Sequence, residues 1–127
     1  MKWIFVSLFF LFFFFTPSVS LVSAKSVSVI AISGQYIKRV NSVRAYFGNL
    51  KGVKTISYTL MYEGNGVGQG VMGTVSPGKK TAVSKDIYLG TCSARVCTPQ
   101  RNIKNIQLEI VANYTTGKST AKTIKIK

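Results

Sequence analysis

The sequence predicts an all-β protein: a seven-stranded antiparallel β-sandwich that follows an N-terminal signal peptide. Two long segments, Val53–Glu63 and Ile106–Asn113, alternate residue by residue with the period of two that is typical of strands. Gly, Asn and Pro residues separate these segments from shorter apolar ones at regular intervals, as in antiparallel sheets joined by tight turns. No window has a sustained helical period, so an all-β class is expected.

The first 24 residues have the three parts of a secretory signal peptide. Lys2 precedes the apolar run Trp3–Phe15, and small residues then lead to a V-x-A cleavage site at Val22-Ser23-Ala24. The run is shorter than the roughly 20 apolar residues of a transmembrane helix. Cleavage at this site would leave one domain, residues 25–127, that is secreted or held at the cell surface. A retained N-terminal anchor is the alternative, because Leu21 and Val22 could extend the apolar run.

The seven predicted strands are separated by short turns. Gly34-Gln35 is expected to end the first strand, Tyr36–Val40 to continue it or to form a loop, and Cys92–Cys97 to bound a loop before the sixth strand. Ile56, Tyr58, Leu60 and Tyr62 are expected to share one face of the third strand. The predicted strands are Lys25–Ile32, Val43–Phe47, Val53–Glu63, Gln69–Ser76, Lys80–Leu89, Ile106–Asn113 and Ser119–Lys127.

Cys92 and Cys97 are the two cysteines of the chain. In an exported protein such a pair is most simply a disulfide, and a loop this short allows it about 2–3 kcal/mol of stabilisation. A metal site is not expected, because the chain has no His and no further Cys. A redox-active pair would have two intervening residues rather than four. The pair is therefore interpreted as a structural staple.

Short motifs in two strands suggest a family. Tyr58, Leu60 and Tyr62 alternate in the third strand, and the last hairpin has the spacing V-x-V-x-A-x-x-x-x-G-x-S, which here runs from Leu108 to Ser119. Both patterns resemble the fibronectin type III family, and Phe47 stands where that family has a core Trp. The resemblance implies a fibronectin type III-like or immunoglobulin-like sandwich. The chain is also similar to small exported bacterial proteins of uncharacterised function, which implies no activity.

The chain departs from this family before the sixth strand. Ile106 occupies the position of the family's corner tyrosine, and the Cys92–Cys97 segment replaces the usual Leu-x-Pro turn. We therefore hypothesise that the disulfide stiffens the connection that the tyrosine would otherwise have held.

The composition is strongly basic. The chain has 17 Lys and Arg against 3 Asp and Glu, a formal net charge of +14. Of the cations only Lys2 lies in the predicted signal peptide, so the exported part keeps a charge of about +13. Such a field attracts polyanions such as nucleic acid, anionic lipid or acidic envelope polymers. The alternative is that the charge serves solubility and protects strand edges from aggregation.

Two groups of residues are candidates for binding an anionic partner. Arg95, Arg101 and Lys104 lie in and just after the Cys92–Cys97 segment, where a stiffened loop could present them with little ordering cost. The tyrosines could form a stacking surface among the lysines; alternatively, Tyr58 and Tyr62 pack in the core and the others cover sheet faces. The tyrosines are Tyr36, Tyr46, Tyr58, Tyr62, Tyr88 and Tyr114.

Catalytic, cofactor and metal chemistry is not expected. The chain has no His, and its carboxylates Glu63, Asp86 and Glu109 are scattered along the sequence. Gly68–Gly73 matches the dinucleotide-binding motif G-x-G-x-x-G, but no helix is predicted after it. A dinucleotide-binding site is therefore not expected. Gly117-Lys118-Ser119 resembles the end of a phosphate-binding loop, yet it is predicted to lie in a β-turn.

The sequence thus predicts an exported, non-enzymatic binding or structural domain at the cell surface, associated with anionic envelope polymers. One alternative is an exported protein that binds nucleic acid nonspecifically through phosphate contacts. Another is a subunit of a surface assembly that pairs with a second surface protein along an open strand edge, either Gln69–Ser76 or the N-terminal strand.

Overall fold

The computed structural model describes residues 29–127, and the predicted signal peptide lies outside this range. Within residues 29–127 the chain forms nine strands and one short 3₁₀ turn, Lys38–Val40. No helix in this part of the chain is long and apolar enough to cross a membrane. The strands are β1 Ala31–Ile37, β2 Ser42–Gly48, β3 Val53–Gly64, β4 Val67–Val75, β5 Val83–Tyr88, β6 Gly90–Ser93, β7 Val96–Pro99, β8 Lys104–Tyr114 and β9 Ser119–Ile126.

The strands assemble into two main sheets and a separate hairpin. One sheet has the order β1-β2-β5 and the other the order β4-β3-β8-β9, while β6 and β7 pair only with each other. All the pairings are antiparallel. The predicted all-β, antiparallel class is confirmed.

Alternation along the strands determines which side chains are buried. The predicted inner face of β3 is confirmed, since Ile56 and Leu60 are fully buried and Tyr58 and Tyr62 nearly so. Phe47 from β2 has no exposed surface. Residues of both main sheets belong to one buried cluster, to which β2 contributes Val43, Ala45 and Phe47, β5 Ile87, β3 Val53, Ile56, Tyr58, Leu60 and Tyr62, and β8 Ile106, Leu108, Ile110, Ala112 and Tyr114.

The prediction of seven strands is wrong, because the Cys92–Cys97 segment is a hairpin and not a loop. Cys92 and Cys97 are directly opposite each other in the β6–β7 ladder, and their sulfurs are bonded at 2.07 Å. The two residues of the turn, Ala94 and Arg95, both have positive φ, as a tight hairpin turn requires. The sequence pattern missed this hairpin because it has no apolar alternation and its turn lacks Gly and Asn.

The first strand runs further than predicted, and the start of the predicted strand, residues 25–28, lies outside the described residues. It spans Ala31–Ile37 instead of ending at Gly34, and the backbone continues regularly through that glycine in its pairing with β2. A Cβ atom at Gly34 would overlap the side chain of Ile126 in β9. Gly34 therefore lies where the two sheets pack closely, and it does not mark a break in the strand.

Both glycine motifs lie in hairpins. Gly68–Gly73 is part of β4, which follows β3 through an Asn65-Gly66 turn with positive φ at both residues. Gly117 has a φ of 85° in the turn between β8 and β9. Neither segment precedes a helix. Both motifs bind phosphate at the N-terminus of the helix that follows them, so neither segment has the geometry of a nucleotide-binding motif.

Candidate functional site

A groove of about 660 Å³ lies where the connection between β1 and β2 meets the connection between β7 and β8. Its lining comes from four parts of the chain that are distant in sequence. Tyr36 is the second-last residue of β1, Lys38–Asn41 forms the 3₁₀ turn and its cap, Tyr88 ends β5, and Pro99–Ile103 covers the end of β7 and the connection to β8.

Asn41 joins three of these parts through its side chain. Its Oδ1 accepts a hydrogen bond of 2.8 Å from the hydroxyl of Tyr36. Its Nδ2 donates to the carbonyl oxygens of Leu89 and of Gln100, the second at 3.0 Å. The residue has a left-handed backbone with φ 48° and ψ 47°, which asparagine tolerates better than most residues. One side-chain amide therefore links three separate parts of the chain at the groove.

Backbone hydrogen bonds reinforce the same junction. The Leu89 amide donates to the carbonyl of Asn41 at 2.8 Å, and the Gln100 amide donates to the carbonyl of Leu89 at 3.0 Å. The connection is also fixed from the β3–β4 turn, because the Asn65 amide donates to the carbonyl of Arg101 at 2.9 Å and Asn102 Nδ2 donates to Asn65 Oδ1 at 3.1 Å. The groove is thus preorganised on both sides.

The charge of the groove has a single sign. Lys38, Arg39 and Arg101 all contribute exposed side chains to its lining. None of the residues that line it is an Asp or a Glu. Cations that converge in a concave surface without a neutralising carboxylate raise the local concentration of anions, so the groove can accept a carboxylate, sulfate or phosphate group.

Tyrosines supply the apolar surface of the groove. Tyr36 and Tyr88 line it and are half-buried. Burial raises the pKa of the Tyr62 phenol, and the nearby Tyr88 raises it further, so Tyr62 stays neutral at physiological pH. Tyr36 and Tyr88 therefore place aromatic rings in the same lining as Arg39 and Arg101, a combination that allows both stacking and charge pairing.

The predicted contact residues are separated by the structure. Arg101 lines the groove, whereas Arg95 lies in the turn at the tip of the β6–β7 hairpin, and Lys104 begins β8 opposite Glu63. Sequence reasoning missed Lys38, Arg39 and Asn41. An Asn after two basic residues and a Val is a weak turn signal, and only the pairing of distant strands shows what these residues face.

The carboxylates Glu63, Asp86 and Glu109 all lie outside the groove lining. Asp86 forms a two-pronged ion pair with Arg44, with Arg44 Nε 2.7 Å from Asp86 Oδ1, and Glu63 accepts a hydrogen bond of 2.9 Å from Asn105. Glu109 lies on the solvent side of β8, opposite Thr59. Among residues 29–127 no three His, Cys, Asp or Glu side chains gather as metal ligands do.

Comparison of the chain with protein-family models, with curated proteins and with solved structures gives no match. The function of the groove is therefore inferred from its own residues.

Proposed function

We propose that the protein is an exported, non-enzymatic β-sandwich domain that binds an anionic polymer of the cell envelope through the groove around Asn41. One observation carries this proposal: three cations and two tyrosines line a preorganised groove that has no carboxylate in its lining. Export is supported by the sequence of the N-terminus and by the disulfide, which persists in oxidising compartments.

The strand order supports a fibronectin type III-like or immunoglobulin-like sandwich. Immunoglobulin domains place their first, second and fifth strands in one sheet and strands C, F and G in the other. Here β1, β2 and β5 form one sheet, and β3, β8 and β9 form the other with β4 beside β3. In this correspondence the β6–β7 hairpin is an insertion between the fifth strand and strand F.

Binding would combine charge with stacking. A guanidinium group can donate two parallel hydrogen bonds to a carboxylate, sulfate or phosphate, and Arg39 and Arg101 both line the groove. Sugar rings or bases could stack on Tyr36 or Tyr88. Because hydrogen bonds already fix the backbone on both sides, little conformational entropy is lost when the ligand binds.

The test compares two double variants of equal net charge. Arg39→Gln with Arg101→Gln removes two cations from the groove, and Arg95→Gln with Lys125→Gln removes two exposed cations outside it. Affinity is measured for polygalacturonate, teichoic acid, duplex and single-stranded DNA and anionic vesicles over a range of salt concentrations. We expect the groove variant to bind one envelope polymer about tenfold more weakly than the wild type, a loss of about 1.4 kcal/mol in binding free energy. The control should lose less than about threefold in affinity.

Two outcomes would contradict the proposal. If both variants lose the same affinity, and if affinity falls with salt at the same rate in both, overall charge alone attracts the polymers. Absence of binding at physiological salt would remove both the envelope polymer and the nucleic acid as partners. If the wild type prefers DNA to the envelope polymers and the groove variant binds DNA more weakly, the nucleic-acid alternative would be favoured.

Assembly through a strand edge is a second candidate, and one observation favours it. Met72 in β4 is 79% exposed and Val67, at the start of the same strand, is 59% exposed. Both are large apolar side chains on β4, one of the two edge strands of the four-stranded sheet.

A further inference from the structure

β4 has a free edge of regular geometry. Its nine pairs with β3 run from Gly64–Val67 to Ile56–Val75 without a register shift. In a hairpin with a two-residue turn, the closing pair exchanges both hydrogen bonds and every second pair does the same. The backbone N–H and C=O groups that point away from β3 are therefore those of Gly68, Gly70, Met72 and Thr74. Within residues 29–127 they have no partner strand, because β4 is outermost in its sheet.

The other edges of the two main sheets in the described chain are protected. β9 contains Lys122 on its core-facing side, opposite Ile110, and an inward-pointing charge is a common way of blocking edge pairing. β5 similarly contains Lys85 opposite Ala45, which is buried. The β1 edge lies against β9, where Lys122 Nζ is 3.4 Å from the carbonyl oxygen of Ile30.

β4 has none of these protections. No ionisable side chain occurs between Glu63 and Lys79, although the chain has a net charge of +14. The strand contains no Pro and no bulge. A second copy of this basic protein would be repelled almost everywhere else, so the uncharged β4 edge is where two copies can approach with the least electrostatic cost.

Glycines along β4 add an independent observation. A Cβ atom at Gly68 would have no neighbour within 4 Å, and one at Gly70 only the carbonyl oxygen of Leu60 at 3.9 Å. Neither residue has a positive φ. Nothing within the protomer therefore requires glycine at these two positions, even though glycine weakens a strand.

We propose that β4 pairs antiparallel with β4 of a second copy, around a two-fold axis at Val71. This register joins the outward-facing residues to one another: Gly68 to Thr74 of the second copy and Gly70 to Met72 of the second copy. Four such pairs exchange about eight backbone hydrogen bonds. Each glycine then lies opposite a larger side chain, which accounts for both glycines. The two four-stranded sheets become one sheet of eight strands, and the inference does not depend on the groove.

The first experiment measures mass in solution by sedimentation and light scattering on the expressed full-length protein and its variants. Interfaces made by strand edges are small and bind weakly, so the mass is followed from about 10 µM to about 1 mM protein. We expect the wild type to double in mass over this range, and more readily at about 500 mM than at about 50 mM salt, because salt screens the repulsion between the two basic copies. Polymer binding in the groove should instead weaken with salt, which separates the two proposals.

A charged side chain at the edge should abolish the pairing. Met72→Lys places a cation at the proposed interface at a position that is 79% exposed, and Thr123→Lys adds the same charge at an exposed position of β9. We expect the first variant to remain monomeric at the highest concentration and the second to form dimers with less than about a threefold change in dissociation constant. Circular dichroism verifies that both variants are folded. A wild type that is monomeric throughout, or a Met72→Lys variant that dimerises as well as Thr123→Lys, would overturn the proposal.

Cysteine crosslinking tests the register. Residues 29–127 contain no free cysteine, so Val71→Cys introduces a single thiol. In the proposed register two copies of residue 71 face each other with Cα atoms about 4.5 Å apart, within the range of about 4.4–6.8 Å that disulfides span. Val75→Cys, on the same face of β4, would be opposite Val67 and far from its own copy. We expect a covalent dimer only with Val71→Cys; equal crosslinking of both variants, or of neither, would overturn this register.

Discussion

The groove end and the β4 edge are built on opposite principles. Around Asn41, side-chain and backbone hydrogen bonds tie three connections together, and cations collect beside them. Along β4 there is no ionisable residue, and the backbone N–H and C=O groups of four of its nine residues point away from β3. The difference teaches that a strongly basic chain can gather cations in one groove and still leave one strand edge without an ionisable side chain.

The largest effect is expected from the amide that holds the groove. Asn41→Ala removes three side-chain hydrogen bonds worth about 1 kcal/mol each and places Ala in a left-handed conformation at about 1 kcal/mol more. We expect a loss of about 4 kcal/mol in the free energy of unfolding, measured by urea denaturation. Asn49→Ala is the control, since Asn49 is also left-handed but makes one exposed hydrogen bond at 3.3 Å; it should lose about 1–2 kcal/mol. Equal losses would show that the network contributes nothing beyond backbone conformation.

The next effect distinguishes two glycines of β4. A Cβ atom at Gly73 would overlap the phenol of Tyr58, which is only 7% exposed, so Gly73→Ala should cost about 2–3 kcal/mol through overpacking. Gly70→Ala meets no obstacle and should stabilise the protomer by about 0.5–1 kcal/mol because alanine favours the strand over glycine. Both values come from thermal or urea unfolding at a concentration where the protein is monomeric. A destabilised Gly70→Ala variant would mean that the protomer itself needs that glycine.

A smaller effect is expected from the disulfide. Replacing both Cys92 and Cys97 by Ser should lower the free energy of unfolding by about 2 kcal/mol, the lower end of the range expected from the short loop that the bond closes. The connection to β8 is additionally held by Asn41 and Asn65, so we expect a lower melting temperature but a folded protein. An unchanged melting temperature would remove the hypothesis that the disulfide stiffens this connection.

The smallest effect is expected from the ion pair on the three-stranded sheet. The hydrogen bond from Arg44 holds the pKa of Asp86 below its ordinary value of 3.8, so the pair stabilises the fold above that value and loses its contribution as pH falls through the folded-state pKa. Both side chains are 56% exposed, so the effect is small. The difference in urea midpoint between wild type and Asp86→Asn should be present at about pH 6 and shrink as the pH falls below 3.8. Arg44→Gln should show the same pH dependence; a difference that persists in acid would contradict this assignment.

Local pattern predicted much of the fold. The faces of β3 and β8 follow directly from their alternation, because successive side chains in a strand point to opposite sides. The β6–β7 hairpin and the extent of β1 were missed. In both cases a local rule failed. Gly or Asn usually occupies positive φ in a tight hairpin turn, but here Ala94 and Arg95 do. Glycine often interrupts a strand, but Gly34 continues β1 and packs closely against Ile126.

The candidate site was predicted far less well. Arg101 was named from its place after the cysteines and does line the groove, but its neighbours Lys38 and Arg39 precede it by some sixty residues. No spacing rule connects such positions. They meet because β1 and β5 both pair with β2, and because Asn41 binds the carbonyl of Gln100.

The sequence by itself determined the all-β class, the position of the disulfide, the buried face of each long strand and the basic charge. These depend on residue type and on a period of two, both of which are local. The tertiary structure decided which cations converge and which of the two candidate edges, Gln69–Ser76 or the N-terminal strand, is left unprotected. Both follow from strand order, which is set by pairings between residues far apart in the chain, and a residue such as Met72 has no signal of its own to tell an edge from the middle of a sheet.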